Sequence, residues 1–115
     1  HPIGAVFDTH HGLANAIMLP YVLVRNQAAI EQRLSDAARY IGLQDASFKG
    51  FLDWILRLRA DLNIPHSLAE IGIDESRAEE IGAAAKQDPS DGGNPVNLMP
   101  ADYTAIFIAA VKGVV

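Results

Sequence analysis

Between residues 48 and 62 the apolar side chains fall three and four apart, at Phe48, Phe51, Leu52, Ile55, Leu56 and Leu62. That spacing lines them on one face of a 3.6-residue helix and turns Lys49, Asp53, Arg57 and Asp61 mostly away. The same period governs nearly the whole chain. Only Ala5-Val6-Phe7 and Val22-Leu23-Val24 could be read as strand, and both are short. In 115 residues this pattern predicts an all-α fold, a bundle of five to seven helices forming one domain over 1–115.

Local signals place the helices. Residues 12 to about 26 are too densely apolar for a surface helix, which predicts a buried one, bent at Pro20 where a backbone donor is missing. A second helix is expected over about 28–41, with Ile30, Leu34, Ala38 and Ile41 as its stripe and Gly42 in the left-handed position beyond its last turn. The helix from Phe48, with Trp54 and the Phe stripe read as core, should stop at Asn63 before Pro65. Ser67 to Glu70 has a capping-box pattern opening a short helix. Asp74 is expected to cap a helix through about 87, with Glu75, Glu79 and Glu80 near its positive end and Lys86 near its negative one. Residues 88–97 read as loop, and Pro100 as the first residue of a last helix ending near Lys112.

Composition narrows the function classes. Nine basic residues against fourteen acidic ones leave −5, an unfavourable balance for nucleic acid or an anionic membrane. With no cysteine, thiol nucleophiles, disulfides and thiolate metal sites are excluded. Neither apolar run around Leu19 or Phe107 approaches the ~20 residues of a spanning helix, so a soluble, cytoplasmic protein with small-molecule or protein partners is expected.

Three of the four histidines, His1, His10 and His11, lie within the first eleven residues. His10 and His11 are adjacent and would point about 100° apart on a helix. His11 opens the buried helix, where a neutral imidazole could face a metal or simply cap the helix or fill a core edge. Asp8 could join it or serve as a turn residue. His66 sits in a loop where solvated histidine is usual. A zinc or iron site takes three or four protein ligands, and these residues alone do not supply them. The glycines of Asp91-Gly92-Gly93-Asn94-Pro95 permit close backbone approach, but no phosphate-loop spacing is present. No serine sits in a nucleophile elbow.

The order of residues in HPIGAVFDTHHGLANAIMLPYVLVRN resembles the signature of the iron-dependent, group III alcohol dehydrogenases. It does so through His1-Pro2-Ile3-Gly4, His11-Gly12, Leu19-Pro20 and Asn26. The stretches LNIPHSLAEIGI and DPSDGGNPVNLMPADY resemble that family's linker and its Gly-Gly-Asn-Pro segment, so the likeness spans nearly the whole chain. It implies the latter part of an all-helical C-terminal lobe, the N-terminal NAD(P)-binding lobe being absent. It also implies His11 as a metal ligand and His1 as a proton-relay residue near substrate and nicotinamide. Ser90 and His10 would line the substrate pocket, His10 standing where a proline commonly precedes the ligand histidine.

The implied parent, expected as a homodimer, interconverts alcohols and aldehydes or ketones. A divalent metal, Fe²⁺ or Zn²⁺, polarises the alcohol oxygen and NAD(P) takes the hydride. The family's aspartate and two other histidine ligands map upstream of His1, so the opening reads as a site cut through its middle. The fragment alone is expected to be inactive, with a proteolytic remnant or a truncated form as its origin. The alternatives are a free-standing helical interaction domain and a fragment of a maleylacetate reductase-like enzyme.

Overall fold

The computed structural model describes His1–Val115 and carries five α-helices and no strand: α1 (Pro2–Phe7), α2 (His11–Tyr40), α3 (Phe48–Asp61), α4 (Ala78–Gln87) and α5 (Pro100–Lys112). Single 3-10 turns at Ala69–Ile71 and Pro89–Gly93 interrupt the connections. The all-helical expectation holds, and the two ambiguous segments lie within α1 and α2. No helix is long and apolar enough to cross a membrane.

The main correction concerns α2. Two helices separated near residue 27 were expected, but one 30-residue helix runs through both and through Pro20. Nothing at 26–28 is a strong helix breaker, and Gln27 donates to Glu31 across the expected gap at 3.2 Å. Asn26 does not turn its side chain on its own backbone. It is 4% exposed and exchanges amide hydrogen bonds with Asn94, at 2.8 Å in one direction and 3.0 Å in the other. Asn94 also donates to the Val96 carbonyl at 2.7 Å. A residue that reads as a terminus is the fastening for a loop 68 positions away.

The helix stops follow the expected chemistry. Gly42 has φ +78°, its N–H bonds the Arg39 carbonyl at 3.1 Å, and the Leu43 N–H bonds Ala38 at 2.9 Å, the paired closure that a left-handed residue allows. Asn63, at φ +55°, ends α3 in the same way through Ala60 and Arg59. Ser47 caps the start of α3 by accepting from the Gly50 N–H at 3.0 Å. Asp74, however, does not cap α4. It accepts from the backbone and hydroxyl of Ser76, so the turn closes locally and α4 begins only at Ala78. The Ser67 box is half made. Glu70 accepts from the Ser67 N–H at 2.7 Å and from its hydroxyl, and only a 3-10 turn follows.

The core gathers around α5. Phe107 is 1% exposed and Ala110 fully buried, with Ile106 and Val111 beside them. Ile17 and Tyr21 of α2, Ile81 of α4, Leu68 of the linker and Leu98 cover them. Phe7 stacks on Phe107 with ring centres 6.2 Å apart. The helix α3 packs mainly along α2 instead. It buries Phe48 and Ile55 but leaves Phe51, Leu52, Trp54 and Leu56 half-buried and Leu62 exposed. The expectation that the whole Trp54 and Phe stripe is core is therefore corrected: a helix touching one neighbour buries only the strip facing it.

Arg59, on the last turn of α3, is 5% exposed and donates to the carbonyls of Pro65 and His66 at 3.0 and 3.2 Å. Tyr21 donates to the same His66 carbonyl. These bonds tie the linker to α2 and α3, although Arg59 Nε and Nη1 find no acceptor.

Where α4 crosses α5, Gly82 lies so close that a Cβ there would sit 2.0 Å from Thr104 Oγ1 and 2.7 Å from the Pro100 carbonyl oxygen. Because one of these atoms is backbone, Gly82→Ala must push the helices apart and should destabilise the chain by about 1–3 kcal/mol. Asn26→Ala leaves the half-buried Asn94 side-chain oxygen without its donor and should cost a similar ~1–3 kcal/mol. Thermal and urea unfolding of both variants against wild type reads these losses.

Candidate functional site

A reversal between α1 and α2 creates the site. Pro2 fits the first turn of α1, where no backbone donor is needed. Asp8 then adopts a left-handed conformation at φ +51°, which a short polar side chain tolerates, so its role is that of the turn residue. The chain doubles back so that His1 stacks on His11, with ring centres 5.0 Å apart and planes 19° from parallel. The Nε2 of His11 accepts from the Asn15 amide one helical turn on, at 3.2 Å.

The opposite wall comes from the end of α4. His1 Nδ1 lies 2.8 Å from Asp88 Oδ2. The other Asp88 oxygen accepts from the Ser90 N–H at 2.8 Å and from the Ser90 hydroxyl. These Ser90 donors hold the Asp88 carboxyl below its ordinary value of 3.8. Asp91 in the same turn accepts from the Tyr103 hydroxyl and from Lys86 at 3.0 Å, which lowers its carboxyl too. Burial, then the bond to Asp91, pushes the Tyr103 phenol up to about 12. Lys86 also reaches Asn97 at 3.2 Å.

Two cavities meet at His1. One of about 190 Å³ runs inward past His11, Asn15, Met18, Val22 and Phe107. The other, about 370 Å³ and polar, lies over Asp88, Ser90, Asp91, Asn94 and Tyr103. Of the residues singled out from sequence, His1, His11 and Ser90 line this double cavity. His10 lines neither part; its exposed ring lies over Gly12. His66 sits far along the chain, bonded through Nε2 to the Gly113 carbonyl at 2.9 Å.

A family model described as "Fe-containing alcohol dehydrogenase family, C-terminal" matches residues 1–111. This chain belongs to the iron-containing alcohol dehydrogenase family. It is 29% identical over 116 residues to a lactaldehyde reductase of Escherichia coli (strain K12), covering 96% of this chain and 30% of that protein. With an NADPH-dependent butanol dehydrogenase of Clostridium saccharobutylicum it shares 35% over 121 residues, covering 98% and 31%. A crystal structure of 1,3-propanediol oxidoreductase superposes with a TM-score of 0.89 at 30% identity, over 96% of this chain and 30% of that one. The chain therefore spans a little under a third of the length of these relatives.

The metal that the iron-containing family implies can be tested against the donors present. His11 Nε2, its one acceptor nitrogen, is already engaged by the Asn15 amide, and no group of three or more His, Asp or Glu side chains converges anywhere in the chain. The residues present do not fit a metal by themselves. His1 is turned to Asp88, and Asp88 is taken up by Ser90.

Sequence reasoning missed Asp88, Asn15 and the Asn26–Asn94 pair. The Asp-x-Ser pattern at 88–90 was visible, but Asp74-Glu75-Ser76 makes the same bonds beside an open depression that no histidine lines. The motif marks a turn and cannot mark a site.

Isothermal titration of the 115-residue chain with Zn²⁺ or Fe²⁺ should show no tight binding, and His11→Ala should leave the weak signal unchanged. The acids give a second expectation. Because Asp88 and Asp91 titrate below 3.8 in the fold, their bonds stabilise above that value and are lost as pH falls through the lower folded one. Tyr103, raised from 10.0 to about 12, contributes below pH 10 and loses its contribution as pH rises toward 12. Amide protection factors at 90–94, taken relative to the intrinsic exchange rate at each pH, should be highest between these limits and fall on both sides.

Proposed function

We propose that this chain is the latter part of the C-terminal lobe of an NAD(P)-dependent, metal-containing alcohol dehydrogenase, supplying one metal ligand, His11, and a proton-relay residue, His1. The dinucleotide lobe and the remaining ligands belong to polypeptide outside these residues. The observation that carries this reading is the His1–His11 stack at the junction of the two cavities. It brings side by side the two imidazoles to which this reading gives the ligand and proton-transfer roles, in a chain whose relatives are named as a lactaldehyde reductase and a butanol dehydrogenase.

The chemistry of this chain's own residues is proton handling and substrate confinement. Oxidising an alcohol to a carbonyl releases a hydride, which the nicotinamide takes, and a proton, which must leave through an ionisable group. His1 has the reach for this, because its side chain is 59% exposed while its ring plane is fixed against His11. The inner cavity, lined by Met18, Val22 and Phe107, suits a small substrate with an apolar end. Ser90 lines the polar side.

The test is NAD(P)-coupled oxidation of short alcohols, run on the 115-residue chain and on the polypeptide from the complete reading frame. The chain alone should show no metal-dependent turnover and the complete polypeptide should. In the latter, His11→Ala should abolish activity together with bound metal. His1→Ala should lower kcat by about 10²–10⁴-fold with metal retained. Metal-dependent turnover by the chain alone would overturn the fragment reading, and a reading frame that starts near His1 would favour a free-standing helical domain instead.

A further inference from the structure

We propose that Asp88 is the positioning residue for His1, holding the Nδ1 proton so that Nε2 is the nitrogen turned to the substrate; this rests on the reading of His1 as the proton relay. A carboxylate only accepts hydrogen bonds, so a neutral His1 facing Asp88 Oδ2 at 2.8 Å must carry its proton on Nδ1. Its remaining nitrogen is then a free lone pair, the form a proton acceptor needs. Stacking on His11 fixes the plane of the ring but does not select its edge, and the Asp88 contact makes that selection.

Asp88 is itself held. Ser90 places two donors, N–H and Oγ–H, on Oδ1, which leaves Oδ2 for His1. The following turn is braced by Lys86 and Tyr103 on Asp91 and by Asn94 on Asn26. The edge of His1 is thus set through α4, α5 and the middle of α2, none of which is near it in sequence. The side chain of Asp88 is 16% exposed and that of His1 59%, so the pair adds little to stability and its consequence is orientation.

The geometry makes the isosteric substitution decisive. In Asp88→Asn the two Ser90 donors claim the amide oxygen, so the amide NH₂ faces His1 Nδ1 and forces the proton to Nε2, leaving the wrong nitrogen toward the substrate. The experiment uses the complete dehydrogenase, with ¹⁵N-labelled histidine, at a pH about two units above the ordinary histidine value of ~6.5. Long-range ¹H–¹⁵N spectra should show wild-type His1 as the Nδ1–H tautomer and the Asp88→Asn variant as Nε2–H. The variant's kcat should fall by about 10²–10⁴-fold, as when a catalytic histidine is held in the wrong tautomer. KM for alcohol and cofactor and the bound metal should stay within about twofold.

An Nε2–H tautomer in the wild type overturns the proposal whether or not any variant folds. So does an unchanged tautomer in a folded Asp88→Asn variant, or a kcat within twofold of wild type. A wild-type enzyme that oxidises no alcohol defeats the dehydrogenase reading instead, and the tautomer measurement still decides whether Asp88 orients His1.

Discussion

The middle of α5 has nowhere to go but inside. Ile106, Phe107, Ala110 and Val111 are buried together, and apolar area of this kind contributes roughly 1.5–3 kcal/mol per large side chain removed from water. The rest of the chain is arranged to cover that helix. The α4 helix crosses it at glycine distance through Gly82, α2 lays Ile17 and Tyr21 along it, and Leu68 in the linker closes another side while Phe7 of α1 caps Phe107. The short α1 stays docked because of that cover, and α1 is what carries His1 to its place.

Polar ties then set the register that apolar packing leaves loose. Buried Asn26 and half-buried Asn94 satisfy each other, and a reciprocal amide pair accepts only one alignment of its two backbones. Arg59 and Tyr21 converge on the His66 carbonyl and fix the linker. Asp91 gathers Lys86 and Tyr103. The Pro89–Gly93 turn therefore sits as part of a cross-braced corner, which explains how a short connection can present Asp88 and Ser90 at a defined distance from His1.

Much of the fold could be read from the sequence because its signals are local. The Phe48 helix, the stops at Gly42 and Asn63 and the start at Pro100 follow from period, left-handed conformers and a missing donor. Where reading failed, distant contacts had overridden local preference. The first helix was expected to end near Asn26, but the Asn26 amide is engaged by Asn94 and the helix runs on. Asp74 looked like a helix cap, but Ser76 satisfied it first. Trp54 looked like core because periodicity shows which face is apolar without showing whether a second helix lies against it.

For the site the division is sharper. The sequence by itself determined the residue types and the family likeness: His1, His11 and Ser90 were recognisable from the order of their neighbours, and the absence of cysteine restricted any metal to His, Asp or Glu. Only the tertiary structure decided that His1 and His11 stack, that Asp88 holds His1, and that His10 points elsewhere. Those outcomes depend on a chain reversal at Asp8 and on α4 docking beside α5, and hydrogen bonds between residues 87 apart leave no periodic trace in the order of amino acids.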